Sequence, residues 1–226
     1  MSLSPVHRPV LAEEVTARLR AMIQSGEWPL EERIPAEPEL MAQLSVSRGT
    51  LREAIKALAH GGMLEVRRGD GTYVRATSEM SGAARRMYKE HTPQHVLEVR
   101  LAMDTQAARL AASNATAVDI EAMRSLLRTW RGAWEAGDVD TWAKSDWAFH
   151  DLVAKASGNP LLHELYASFS GALHADLLIQ RQRAGFNGVP GAGHEELVDA
   201  LEARDAAAAV DSVNRNLDSC AEWLGQ

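Results

Sequence analysis

From Thr92 to Leu224 the chain offers helix caps, apolar stripes and breakers, but no segment patterned as a strand. That restricts the second half of the molecule to helix-on-helix packing. Thr92-Pro93 reads as a cap followed by a first-turn proline and predicts a helix to about Asn114. Thr116 with Asp119 caps a second, to about Ala136. Asp138 opens a third, which "SGNP" closes. A fourth is expected over roughly 160–184, then the loop "GFNGVPGAG", then two last helices over about 194–203 and 205–224. The signal for a shorter helix ahead of Thr92 is slight. Six or seven antiparallel helices make a bundle.

The first 76 residues read differently. Leu11, Val15, Leu19, Met22 and Ile23 lie along one stripe of a helix over 10–25, which Gly26 ends. The prolines of "GEWPLEERIPAEPE" forbid a continuous helix. A short helix over about 37–44 follows, and Ser47 can cap another over about 48–60, with Leu51, Ile55 and Leu58 inward. "MLEVRR", "GDG" and "TYVRA" read as strand, turn and strand, with Gly69 and Gly71 supplying the turn. Three helices and a two-stranded hairpin in this order make a winged helix-turn-helix. The expected fold is mainly α: a winged module over 1–76, a linker "TSEMSG" at 77–82, and an all-helical bundle over 83–226.

A net charge of −7 argues against a nucleic-acid partner only until the chain is divided. Residues 1–76 hold ten basic and ten acidic side chains; the remainder holds 14 and 21. The acidity belongs to the bundle, and a locally basic surface on the winged module stays open. One cysteine, Cys220, excludes an internal disulfide framework. No apolar run approaches the roughly 18 residues a membrane span needs, and "MSLSPVHRPVLAEEV" lacks the apolar core of a signal peptide. A cytoplasmic protein without a membrane partner is expected.

With Leu51, Ile55 and Leu58 turned inward, Gly49, Arg52, Glu53 and Lys56 face outward, with Arg48 and Thr50 at the margins. Arginine pairs in two-pronged fashion with guanine, hydroxyls bond phosphate, and a helix amino terminus attracts phosphate. Arg67 and Arg68 beside Gly69 put cations on the wing. A plainer reading has Arg48 and Arg52 only solvating the helix and pairing with Glu53 or Glu37. The stretch "IPAEPELMAQLSVSRGTLREAIKALAHGGMLEVRRGDGTYV" resembles the DNA-binding domain of GntR-family bacterial transcription regulators, through P-A-E-x-E-L, S-R-x-T-L-R-E-A and G-x-G-T-Y-V. The resemblance implies that Ser47, Arg48, Gly49, Thr50 and Arg52 meet DNA from the second helix of the motif, and Arg68 and Gly69 from the wing. Pro38 stands where family members often carry a basic residue that touches phosphate.

In the bundle, polar groups recur on faces that should be buried. Asp146 and His150 lie one turn apart, flanked by Trp142, Phe149 and Val153 on one side and Ala143, Trp147 and Ala154 on the other. His194 lines up with Leu197, Val198 and Leu201; Asn216 falls among Ala209, Val213, Cys220 and Trp223. Arg100 sits amid Val96, Leu97, Ala107 and Ala111, with Asp104 one turn on. Buried polar groups cost several kcal/mol unless partnered. Private pairs, Asp146 with His150 and Arg100 with Asp104, would satisfy them. So would one shared site: a divalent transition metal on Asp146, His150 and His194, with Arg100 placed to clamp a carboxylate. Imidazole with carboxylate favours Zn, Ni, Fe or Mn over calcium, and three protein ligands leave positions open. His174, near Arg181, is a further candidate for the pocket wall.

"VLEVRLAMDTQAARLAA", "DWAFHDLVAKASGNPLL" and "HEELVDALEARDAAAAVDSVNRNL" are similar to the FCD effector domain, the all-helical partner of this DNA-binding type, over roughly 80–224. In that family a metal is usually held by the Asp and His of D-x-x-F-H, a His before the penultimate helix, and a His near the end. Those positions are Asp146, His150, His194 and, in place of the last His, Asn216. Asn216 is then a weak ligand through its amide oxygen, an effector contact, or a position left to water. Taken together, a homodimeric regulator is expected, reading a short palindromic operator in double-stranded DNA and answering to a small carboxylate or sugar acid bound by Arg100, Asn216 and His174. The alternative is a metal-dependent hydrolase or lyase using the same ion. Against it, no general base stands beside the site, and the winged module would be idle.

Overall fold

The first helix, α1 (Val10–Gln24), buries Val15, Leu19 and Ile23 and leaves Leu11, in its first turn, exposed. α2 (Glu37–Leu44) starts on a first-turn proline and stops where Ser45 turns left-handed at φ 54°. α3 (Arg48–His60) starts where the Thr50 amide donates to Ser47 Oγ at 3.2 Å, and it buries Leu51, Ala54, Ile55 and Leu58. These pack with Val15, Leu19, Ile23 and Leu40 into one core, closed by Leu64 and Val74 at the base of the hairpin. The hairpin is antiparallel, β1 (Leu64–Arg67) on β2 (Gly71–Val74), in the register Leu64↔Val74 to Arg67↔Gly71. Gly69, at φ +78°, makes its turn. This computed structural model describes residues 10–169 and 193–224, and it divides into two units between Met87 and Tyr88.

Residues 77–82, expected as a linker, are helical from Glu79, within α4 (Glu79–Glu90). The Ser81 amide donates to Ser78 Oγ at 3.0 Å and so caps the start. The physical reason for the helix is its docking. Gly82 lies so close to Gly61 and Gly62 that a Cβ there would overlap the Gly61 carbonyl. Arg20 pairs with Glu79 at 2.6 Å, and Arg85 donates to the Arg75 carbonyl at 3.0 Å.

In the second unit the expected caps recur in place. α5 (Pro93–Asn114) starts at Thr92, whose Oγ1 accepts from the His95 amide. α6 (Ala117–Ala136) has the Thr116–Asp119 capping box and ends on Gly137, at φ +70°. Asp138 caps α7 (Val139–Ala156) by accepting from the Thr141 amide at 3.1 Å. Residues 160–169 form α8, and α9 (His194–Glu202) and α10 (Ala206–Leu224) complete the unit. Among the described residues it contains six helices and no strand. The core is layered by size. Ala107, Ala108, Ala111 and Ala112 let α5 approach its neighbours α7 and α10, while Met123, Phe149, Val153, Val198 and Leu201 fill the interior. Phe149 is wholly buried, worth roughly 1.5–3 kcal/mol against exposure. Trp130, Trp142, Ala133 and Ala143, with Trp134, make a second cluster between α6 and α7.

Candidate metal centre and nucleic-acid interface

Asp146 and His150 come from successive turns of α7, and His194 is the first residue of α9. All three are buried. His194 Nε2 lies 3.2 Å from His150 Nε2 and 3.4 Å from Asp146 Oδ1, and His150 Nε2 lies 4.0 Å from Asp146 Oδ2. For an ion held at about 2.1 Å, donors are about 3.0 Å apart at a right angle and about 3.4 Å apart at the tetrahedral angle. Two of the three separations fall in or at that range and the third opens it by about half an ångström, so the residues fit a transition-metal ion. Beside them a small cleft is lined by Asp104, His150, His194, Leu197, Ser212 and Asn216.

The electrostatics prepare the donors. Burial pushes the Asp146 carboxyl up, but the hydrogen bond from His194 and the nearby charges of His150, His194 and Arg100 outweigh it, holding the group well below the usual carboxylate range. Burial, with the Arg100 cation adding to it, pushes His150 down to about 4. A carboxylate and a neutral imidazole are therefore present at neutral pH, as metal binding requires. Phe149 fixes both imidazoles edge-on, with ring centroids 5.4 Å from His150 and 5.0 Å from His194; Trp130 flanks His194 at 5.5 Å.

The other expected residues divide. Arg100 brings its charge to the cluster but is engaged with Asp104, Nε to Oδ2 at 3.1 Å, both buried. This is the private ion pair that the sequence left open. Asn216, half-buried, places Nδ2 3.5 Å from His194 Nδ1, the ring edge away from the converging donors. His174 and Arg181 lie outside the described residues. Tyr166 on α8 was not foreseen. It is buried, hydrogen-bonded to Asp104, and its hydroxyl is held well above its ordinary range by burial and by that carboxylate. Its only sequence signal, a tyrosine one turn beyond Leu162, reads as packing.

On the winged module, Ser47 Oγ caps α3 and lies 2.9 Å from Thr50 Oγ1. Gly49 is exposed, and a Cβ there would meet only Ser47 Oγ at 3.8 Å, so the surface is open to close approach. Arg52 donates from Nε to both Glu37 oxygens at 3.1 Å, and Lys56 pairs with Glu53 at 3.1 Å. Arg48 and Arg68 are exposed and meet no acceptor among the described residues. Arg67 stacks on Tyr73 at 4.6 Å and faces Glu65 at 3.5 Å, and Gly69 carries the wing's turn. Exposed pairs such as Arg52–Glu37 are worth about 0–1 kcal/mol, so exchanging one for a phosphate or base costs little.

A winged helix-turn-helix joined to an all-helical domain with a buried Asp-His-His cluster defines a one-component transcription regulator. The family model for bacterial regulatory proteins of the gntR family matches residues 11–74, and that for the FCD domain matches residues 95–219. The chain belongs to the GntR family, in its FCD-bearing group: it is a DNA-binding transcription regulator, not an enzyme, and the hydrolase or lyase alternative is set aside. It is 30% identical to the HTH-type transcriptional repressor NanR of Citrobacter rodentium across 98% of this chain and 89% of that protein. It is 36% identical to the HTH-type transcriptional regulator LutR of Bacillus subtilis across 67% and 70%. Among solved structures, Streptococcus agalactiae GntR is 26% identical with a TM-score of 0.50, covering 93% of this chain and 99% of its own. E. coli McbR/YncC, at 20% identity and a TM-score of 0.55 over 97% and 99%, shares the fold.

Proposed function

We propose that this regulator reads a short palindromic operator as a homodimer and responds to a small carboxylate or sugar acid held in a metal-assisted pocket of the bundle. The observation that carries the reading is the meeting of three buried donor atoms from α7 and α9 beside a cleft. Asp146, His150 and His194 would hold the ion, which when bound supplies a positive centre for an acid's oxygens. Arg100 adds a second cation, and Tyr166, through Asp104, fixes where that cation rests. On the other module, Arg48 and Arg52 reach base edges, and Ser47, Thr50 and the backbone at Gly49 take phosphates. Arg68 and Gly69 follow the backbone from the wing. A two-fold protein meets two-fold half-sites, which supports the palindrome. The effector acts by binding one arrangement of the dimer better; 1–3 kcal/mol of such preference changes operator affinity about 5- to 150-fold. Similarity to proteins named repressors supports repression as the direction. No helix among the described residues is long and apolar enough to cross a membrane, and a cytoplasmic location fits this role.

The test is metal analysis with thermal shift against a panel of organic acids, on wild type and His194→Ala. Metal in wild type but not the variant, and an acid that stabilises only the metal-loaded form, are the expected results. Equal metal content in both, with no stabilising acid, would overturn the sensor reading and leave DNA reading intact.

A further inference from the structure

We infer that Asn216 acts on His194 and not on the ion: its amide, able to donate or to accept after a half-turn, selects which ring nitrogen of His194 carries the proton. The inference deepens the metal reading above, although its ring-proton half stands without it.

Three observations carry it. The first is placement: the Asn216 amide faces Nδ1 of His194 at 3.5 Å, while Nε2 faces His150 and Asp146. A group at the Nδ1 edge sits behind the ring, across from the point on which the donors converge. The second is that the placement is built. Gly193, immediately before His194, has φ +99° and lies so close to α10 that a Cβ there would come 2.6 Å from the Ser212 carbonyl and 3.2 Å from Asn216 Cβ. Its amide donates to Glu196 Oε2 at 3.1 Å, fixing the start of α9. Asn216 is therefore locked against the His194 ring by backbone packing. The third is the chemistry of the ring. With Asn216 Nδ2–H donating to Nδ1, the ring proton belongs on Nε2, which faces His150 Nε2 at 3.2 Å and the Asp146 carboxylate at 3.4 Å. An ion at Nε2 needs that lone pair free, so the proton must pass to Nδ1, and Nδ1–H then needs an acceptor.

An amide meets both needs. It carries a donor and an acceptor on one plane and exchanges them by rotation about its last bond. A carboxylate at the same place would only accept, fixing the proton on Nδ1 and favouring the ion. An apolar side chain would do neither. Asn216 thus holds His194 ready for the ion without committing it, in place of a fourth ligand.

The experiment uses the full-length protein with ¹⁵N-labelled histidine, His194 being assigned by its loss in His194→Gln. Two-bond ¹H–¹⁵N spectra report the ring proton with chelator and with Zn²⁺, and competition titration gives Zn²⁺ affinity. Wild type should carry the proton on Nε2 without metal and on Nδ1 with it. Asn216→Asp should carry it on Nδ1 already without metal and bind Zn²⁺ about tenfold tighter. Asn216→Leu, with wild-type circular dichroism, should lose about 10- to 100-fold in affinity. A metal-free wild-type proton on Nδ1, an unchanged tautomer in Asn216→Asp, or wild-type affinity in Asn216→Leu would each overturn the inference. If no form binds Zn²⁺, the metal reading fails, while the ring-proton comparison of wild type with Asn216→Asp still decides what Asn216 does.

Discussion

Gly193→Ala is the perturbation whose cost follows most directly from the coordinates. Gly193 is left-handed at φ +99°, ψ −20°, and the added methyl would sit 2.6 Å from the Ser212 carbonyl oxygen, about 0.8 Å inside ordinary contact. The left-handed backbone alone costs an L-residue about 1–2 kcal/mol. The overlap is with backbone, not with a flexible side chain, so α10 must move or α9 must re-enter; overpacking of this kind adds about 1–3 kcal/mol. Gly137→Ala is the control, since Gly137 is also left-handed, at φ +70°, but nothing lies within 4 Å of its Cβ position. It carries the backbone cost without the clash. Urea unfolding followed by circular dichroism should show Gly137→Ala destabilised by about 1 kcal/mol and Gly193→Ala by about 3 kcal/mol. Metal affinity should fall only in Gly193→Ala, because only there is His194 displaced. Equal destabilisation of the two variants would refute the claim that α9 and α10 are in forced contact at this point.

Three further outcomes are expected. Arg52→Ala should abolish preference for a selected palindrome over random duplex while the fold is kept, whereas Arg68→Ala should weaken binding to all sequences alike and reduce the salt slope by about 1, as measured by fluorescence anisotropy at several ionic strengths; unchanged sequence preference in Arg52→Ala would remove it from base reading. In chelator-treated protein, the unfolded chain protonates His150 as pH falls through its ordinary 6.5 while the folded chain resists until about 4, so the unfolded state binds more protons and stability falls with acid, by about 2 kcal/mol between pH 7.5 and pH 5. The depressed Asp146 carboxyl works in the same direction at lower pH, and a His150→Gln profile that overlays wild type would refute the assignment.

Caps and breakers made most helices legible: Thr116 with Asp119, Asp138 and Ser47 each mark a helix start within one residue of where it falls. α4 was not legible. Ser78, Ser81 and Gly82 have the composition of a linker, and what holds a helix from Glu79 onward is the approach of Gly82 to Gly61 and Gly62, a tertiary contact that no local pattern reports. Within the site, the i, i+4 spacing of Asp146 and His150 and the phase of His194 on its helix placed all three donors. Which ring edge Asn216 meets depends on how α10 seats on Gly193, and Tyr166 reaches Asp104 from a helix whose stripe reads as core; both are facts of packing. The Arg52–Glu37 pair was foreseen as the plainer reading of that arginine and is present.

The docking of α4 also bears on how such a chain can be cut and joined. Family resemblance accounts for residues 11–74 and 95–219 and stops on either side of this helix. Its first two turns nonetheless hold to the reader head through paired glycines and two arginines. A chimera spliced at residue 76 would discard a surface that the head is shaped to receive, leaving Gly61 and Gly62 facing solvent. A junction placed beyond Met87 would carry the whole head intact, so the segment that neither family describes is the one a swap of sensors has to respect.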